Sequence, residues 1–308
     1  MNKNKTKNVV VLGKFDGVHI GHQRLINTAV SIANEKDMKT LVYTIVPTDS
    51  AKAITTEEKK EEIIKSLGAD TVLRQYLTDD FKSLSPEEFV HDILISKLNA
   101  GHVVVGYNFR FGAKRTGDVK LLISLCREYN IGITVIESVM TKNDSGSLEP
   151  VSSTRIRGLI ENGKTEETEE CLGRYFCMWG IVSEGKHLGR KIGFPTVNFY
   201  PDSDALIPKH GVYAVMVYVD GNEFFGITNV GINPTVENGE NIKIETFIFG
   251  FDGNEIYGSR IRIKFIEFVR GEIKFEGVDE LKYQIEKDKK YVMKKYLQRG
   301  VCNGIGRT

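Results

Sequence analysis

In the first half of the chain, apolar residues fall into short unbroken runs, separated by stretches with helical spacing. Val9–Leu12 is such a run, as expected of a parallel strand buried on both faces, and Lys39–Ile45, Thr71–Leu73, His102–Gly106 and Ile133–Ile136 read as further strands. From Gln23 onward the apolar spacing is that of a helix. Thr55-x-x-Glu58 reads as a capping box that opens a helix reaching about Leu67. Ser85-Pro86-Glu87-Glu88 is a stronger start, with an N-cap serine, proline in the first turn and glutamate at the third position, and its helix extends to Leu98. Asp118–Tyr129 is helical, and Ser152-Ser153-Thr154 caps one more helix that ends at Asn162-Gly163. Strand and helix alternating in this way predict an α/β domain built on an open, mostly parallel sheet with helices on both faces. Ligands of such sheets bind beyond the carboxyl ends of the strands, where Val9–Leu12 leads.

The rhythm changes near Tyr175. Phe176–Val182, Gly211–Val219, Glu223–Asn229, Lys243–Phe251 and Arg260–Phe268 are short β runs, and Asp220-Gly221 and Asp252-Gly253 are good hairpin turns. They predict a small antiparallel barrel or sandwich, closed by an amphipathic C-terminal helix with Leu281, Ile285, Val292 and Tyr296 along one face. The acidic stretch Lys164–Gly173 marks the boundary, so that residues 1–170 and 171–308 form the two expected domains.

Composition narrows the classes. The 308 residues are 41% hydrophobic and 27% charged, as in soluble globular proteins, and suffice for two ordinary cores. A net charge of +1 provides no field for nucleic acid or membrane partners. No apolar run approaches the roughly 20 residues of a membrane helix, and the basic start MNKNKTKN lacks a signal core. Cys126, Cys171, Cys177 and Cys302 show no CxxC spacing; they are expected to be packing residues in a cytoplasmic protein. His91, His102 and His210 read as incidental and Trp179 as core.

The chemistry concentrates where Val9–Leu12 ends. Gly13 and Gly17 permit a tight turn, and His19 and His22 frame Gly21 at the start of a helix, whose free N–H groups and dipole attract phosphate. Two imidazole donors there suit displacement at a nucleotide's α-phosphate, each contributing on the order of 2–4 kcal/mol by analogy with oxyanion-hole donors. The same pair could also be structural, or bind a metal with Asp16. In the second half, Gly185-Lys186-His187-Leu188-Gly189-Arg190-Lys191 could lay backbone N–H groups against phosphates. Thr196 and Asn198 alternate on one strand face, so both oxygens could address one Mg²⁺. The T-x-N spacing is also common in ordinary strands.

Gly13–Gln23, GKFDGVHIGHQ, resembles the signature of the nucleotidylyltransferase superfamily in the version used by bacterial FAD synthetases. Gly106–Gly112 with Arg115 and Gly117-Asp118 resembles that family's central segment, and Val151–Arg157 its closing helix motif. The resemblance implies a Rossmann-like domain in which His19 and His22 are catalytic. Gly13, Phe15, Asp16, Gly21, Ser153, Thr154 and Arg157 would bind nucleotide, the Arg157 guanidinium taking the β- and γ-phosphates, and Asn108 would contact flavin. One segment departs from the family: Tyr43–Thr48 keeps only Pro47 where the family has Asn/Asp-Pro-His-Pro after an aromatic residue.

From Gly189-Arg190 through PTVN, the second half resembles the riboflavin kinase module fused to bacterial FAD synthetases. Gly211–Ala214, Thr228–Gly231, Pro234-Thr235, Ile244-Glu245-Thr246, Tyr257-Gly258 and Arg270–Phe275 continue the match. This implies Glu245 as general base, Gly185, Gly189 and Arg190 at the nucleotide, Thr196 and Asn198 at Mg²⁺, and Arg270 and Phe275 at the flavin. Phe247 stands where the family commonly has histidine. Together the two resemblances imply a bifunctional riboflavin kinase and FMN adenylyltransferase with ATP as co-substrate. Its reactants would be riboflavin, FMN, FAD, ATP, ADP and pyrophosphate. Loss of one working half, the adenylyltransferase before the kinase, or a non-catalytic regulator responsive to flavin and nucleotide, are the competing readings.

Overall fold

The computed structural model describes residues 6–48, 52–183, 193–201, 204–233, 241–251 and 256–297. The chain divides into two compact units, Met1–Ile156 with Cys171–Gly173, and Arg157–Glu170 with Arg174–Thr308.

The first unit is built on five strands, β1 (Asn8–Gly13), β2 (Lys39–Val46), β3 (Thr71–Tyr76), β4 (Ala100–Gly106) and β5 (Gly132–Ile136), in the order β3-β2-β1-β4-β5. All four pairings are parallel. Alternate residues serve the two faces, as the two-residue period of a strand requires. Val9, Val11, Val42 and Val104 pack with Ile26 and Ala29 of α1 (Ile20–Glu35) and Ile64 of α2 (Glu57–Ser66). Val10, Leu12, Tyr43, Val103 and Val105 pack on the other side with Val90, Leu94 and Leu122. Those three belong to the helix that opens as Pro86–Glu88 and continues with π-type bonding over Phe89–Lys97, and to a helix at Val119–Glu128. With the short helix Asp79–Ser83 in sequence before them, these are α3, α4 and α5. Because β2 lies on one side of β1 and β4 on the other, the chain reverses its winding between β1 and β4, the place beyond the strands' carboxyl ends where sheets of this kind bind ligands.

Local signals held where they were strong. The Ser85 hydroxyl accepts from Glu88 N–H while the Glu88 carboxylate accepts from Ser85 N–H, a complete capping box. The box expected at Thr55–Glu58 does not form. Thr55 is buried, Thr56 is the N-cap without a side-chain bond, and the third helical position then falls on Lys59, which cannot return an acceptor. Two further strands, β6 (Met140–Lys142) and β7 (Leu148–Pro150), form a hairpin too short and too polar to read from periodicity. α6 (Ser153–Glu161) follows, and the stretch expected to be a boundary carries α7 (Thr165–Leu172).

The second unit is a closed barrel in the order β10-β11-β12-β9-β8-β13. Its strands are β8 (Phe176–Ser183), β9 (Thr196–Phe199), β10 (Gly211–Val219), β11 (Asn222–Asn233), β12 (Asn241–Ile248) and β13 (Arg260–Arg270). α8 (Val278–Val292) follows, and π-type turns continue it over Met293–Leu297. Val212 and Ala214 of β10 pack outward with Val292, Ile285 and Tyr296 of this C-terminal segment. The alternate residues Tyr213, Val215 and Val217 are fully buried and fill the barrel. Closure removes both sheet edges. The Asp220-Gly221 turn has both central residues at positive φ, as a two-residue hairpin requires; Asp252-Gly253 lies outside the described residues. Trp179 is half-buried on β8. Cys126 and Cys171 are buried, and Cys177 is partly so.

Candidate active sites

The connection from β1 to α1 lies at the switch point of the parallel sheet. Phe15, Gly17 and Val18 all have positive φ, which for a β-branched residue such as Val18 is a strained conformation. The turn is held by Val18 N–H donating to the Phe15 carbonyl at 3.0 Å. Phe15 is fully buried, and its ring lies 3.0 Å from where a Cβ on Gly13 would sit. Gly13 therefore serves close packing, and Gly17 the left-handed turn.

His19 is the N-cap of α1, its Nδ1 accepting from His22 N–H at 3.3 Å. An Nδ1 that accepts carries no proton, so the neutral ring bears its single N–H on Nε2. The two imidazoles stack at 3.6 Å between centroids, 20° from parallel, with Phe15 at 5.1 Å on the His22 ring. Gly21 leaves room for this, since a Cβ there would lie 3.1 Å from His19 Cε1 and Nδ1. Burial first, then electrostatic coupling to His19 and to Lys60, holds the His22 pKa well below its ordinary value. At neutral pH His22 is thus an uncharged imidazole, and its buried Nδ1 has no partner. Lys60, itself buried and ion-paired with Glu57, was not marked by any sequence motif.

Other expected nucleotide residues hold this turn in place. The Asp16 carboxylate accepts from Ile54 N–H at 3.0 Å, and Ser153 Oγ donates to the Asp16 carbonyl at 2.8 Å. Thr154 is exposed on the first turn of α6. Arg157 follows one turn later, beyond the division between the units after Ile156. Asn108 is exposed in the turn after β4, on the opposite side of the switch point from the histidines. Arg155, to which the sequence assigned no role, binds the hairpin: its guanidinium donates to Thr141 Oγ1 and to the Glu149 and Lys142 carbonyls at 2.8–3.1 Å. Among the described residues, no cluster of three or more His, Cys, Asp or Glu side chains could hold a metal ion.

In the second unit a cavity of about 230 Å³ lies between barrel strands and α8. Thr196, Thr228, Asn229, Glu245 and Glu272 form its polar side. Phe194, Phe247 and Phe275 give it aromatic walls, and Arg270 and Asp288 lie at it with Leu281 and Ile285. Strand register explains the clustering. Glu245 of β12 is directly opposite Asn229 of β11 and Asn198 of β9, a row across three strands on one face. Thr228 Oγ1 lies 3.1 Å from the Glu245 carbonyl and 2.6 Å from Thr246 Oγ1, which fixes the backbone under the carboxylate. Lys243 pairs with Glu245 from two residues away.

Thr196 reaches the cavity, whereas Asn198 is buried with its Oδ1 unpartnered. A buried carbonyl oxygen without a donor costs about 1–3 kcal/mol, which a cation at that oxygen would relieve, so the pair fits a hard oxygen-seeking ion. Arg270 and Phe275 line the same cavity. Gly185, Gly189 and Arg190 lie outside the described residues. Glu272 and Asp288 were not singled out in the sequence, since each is one acidic residue among many in its surroundings.

Comparison with known proteins follows the same division. A family model described as FAD synthetase matches residues 1–155, and one described as riboflavin kinase matches residues 172–296. The bifunctional riboflavin kinase/FMN adenylyltransferase of Listeria monocytogenes is 37% identical, over 91% of this chain and 90% of its own. The proteins of the same name from Bacillus subtilis and Escherichia coli K12 are 36% and 34% identical, covering 92% and 91% of this chain and 91% and 90% of theirs. A crystal structure titled a macrolide-efflux protein from Streptococcus pneumoniae superposes with a TM-score of 0.84 at 28% identity, over 94% of each chain. No helix among the described residues of the present chain is long and apolar enough to cross a membrane.

Proposed function

The chain belongs to the bifunctional riboflavin kinase/FMN adenylyltransferase family, phosphorylating riboflavin to FMN with ATP and adenylylating FMN to FAD, and from that premise we propose which residues carry each step. The kinase half is residues 171–308 and the adenylyltransferase half residues 1–170; the protein works in the cytoplasm.

Glu245 is the general base of the kinase. It takes the proton of the ribityl terminal hydroxyl as that oxygen bonds to the γ-phosphorus and ADP leaves. The observation supporting this is the Asn229–Glu245–Asn198 row beside an aromatic-walled cavity, which joins a carboxylate to a surface for a flat ring. Thr196 and Asn198 would hold Mg²⁺, whose charge offsets that of the ATP phosphates. Gly185, Gly189 and Arg190 are assigned to the nucleotide, and Phe275 and Arg270 to the flavin.

In the adenylyltransferase half, an FMN phosphate oxygen attacks the α-phosphorus of ATP and pyrophosphate leaves. His19 and His22 each supply one N–H donor to the α-phosphate oxygens, where charge builds as the bonds exchange. Their stacking at the N-terminus of α1 supports this role, because the donors are fixed before substrate arrives and need no reorganisation. Gly13, Phe15, Asp16 and Gly21 shape that turn. Ser153, Thr154 and Arg157 are assigned to the remaining phosphates, and Asn108 to the flavin.

Separate assays test both halves. His22→Ala is expected to lower FAD formation from FMN about 10²–10³-fold and to spare FMN formation from riboflavin. Glu245→Ala is expected to do the reverse, with products resolved by chromatography. Loss of both activities in a folded variant would overturn the assignment.

A further inference from the structure

The guanidinium of Arg270, at the cavity wall where β13 ends, is held by a residue of α8. Its Nε lies 3.0 Å from Asp288 Oδ2 and 3.3 Å from Oδ1, and its Nη2 2.8 Å from Oδ2. Nη1 donates to the Gly271 carbonyl at 3.0 Å. Asp288 is 4% exposed, and Gln284, one helical turn earlier, donates its amide to Oδ1 at 2.8 Å. A carboxylate this buried requires a charged partner, and here the partner is a cavity residue. Two properties of Arg270 follow. Nε and Nη2 donating together to Asp288 Oδ2, with Nε also near Oδ1, fix the plane of the guanidinium. The same carboxylate cancels its charge.

A guanidinium has five N–H groups, and those on Nε, one on Nη2 and one on Nη1 are engaged, which leaves one on each Nη. A charge-compensated pair of donors is a poor anion site and a good match for carbonyl oxygens of an uncharged heterocycle. Phe194, Phe247 and Phe275 supply flat apolar surface in the same cavity. Of the two kinase substrates, riboflavin carries the uncharged ring with carbonyl groups, and ATP carries the anionic chain.

We propose that Asp288, supported by Gln284, is a positioning residue for flavin binding, holding Arg270 as a neutralised donor pair for the carbonyl-bearing edge of the riboflavin ring. The inference rests on the kinase assignment of this cavity. It makes α8 part of the flavin site as well as a cover for the barrel.

Asp288→Asn in the full-length enzyme tests it, with FAD formation from FMN on the same chain as the control for folding. The expected result is a rise of about tenfold in riboflavin KM, and in its Kd read from flavin fluorescence, with the ATP KM within about twofold. Because Asp288 acts through Arg270, Arg270→Ala/Asp288→Asn binds riboflavin no more weakly than Arg270→Ala alone. Equal rises in both KM values, an unchanged riboflavin KM, or additive losses in the double variant would overturn the proposal. Should Asp288→Asn abolish FAD formation as well, Gln284→Leu takes its place: a several-fold rise in riboflavin Kd supports the proposal and an unchanged Kd refutes it. Failure of the cavity assignment itself would show separately, as a Glu245→Ala enzyme that still makes FMN.

Discussion

Replacing Gly21 by alanine separates the stability of α1 from the geometry of its cap. Gly21 is the second residue of the helix and has no positive φ, so the backbone accepts alanine. On propensity alone the change stabilises the helix by about 0.5–1 kcal/mol. The new Cβ, however, would lie 3.1 Å from two atoms of the His19 ring, against about 3.5–4.0 Å for an ordinary carbon contact. The ring must retreat by a few tenths of an ångström. It starts from a cap bond already 3.3 Å long, so that retreat takes Nδ1 out of hydrogen-bond range of His22 N–H. Loss of an N-cap costs about 1 kcal/mol, so the two effects on stability nearly cancel. Catalysis has no such compensation. Removing an oxyanion-type donor outright costs about 10²–10³-fold, and displacing one by a fraction of an ångström is expected to cost about tenfold. FAD formation from FMN, measured by chromatography, should therefore fall about tenfold while FMN formation from riboflavin is unchanged and Tm stays within about 3 °C. Wild-type FAD formation would show that the His19 ring position does not matter to the reaction. A parallel loss of kinase activity would show that the variant simply unfolds.

Two further outcomes follow from buried polar groups. His22 stays neutral when folded, held below its ordinary 6.5 by burial, His19 and Lys60, so below that pH the unfolded chain binds the extra proton. Stability is then complete above about pH 6.5 and falls with acidification by up to about 1.4 kcal/mol per pH unit from this group. His102, lowered by burial and Lys36, adds to the same trend. Urea unfolding between about pH 7.5 and 5.5 should show a shallower slope in His22→Gln, and equal slopes would refute the account. Asn198→Leu removes a buried oxygen with no donor, so folding should be unchanged or slightly improved, whereas the Mg²⁺ concentration for half-maximal kinase activity should rise about tenfold. An unchanged Mg²⁺ requirement would remove Asn198 from the cation site.

The sequence by itself determined what depends on neighbours a few residues apart. The apolar runs of β1, β2 and β4 read as strands buried on both faces, as they are, and that of β5 as an edge strand's partly buried run. Ser85 and Glu88 could satisfy each other across one helical turn, and Gly17 marked the left-handed turn after β1. The same local logic misplaced the start of α2 by one residue, because whether Thr55 or Thr56 caps depends on which of them the fold buries. Only the tertiary structure decided the rest. Strand order set β4 beside β1, so that the turn carrying the histidines and the turn carrying Asn108 leave the same edge of the sheet. Barrel register set Glu245 between Asn229 and Asn198, and folding back α8 brought Asp288 onto Arg270. It also committed Asp16 and Arg155 to partners dozens of positions away or on a separate hairpin. The physical reason is that a period states which face a side chain occupies, whereas its partner across that face is set by sheet register and chain closure, which no local pattern encodes.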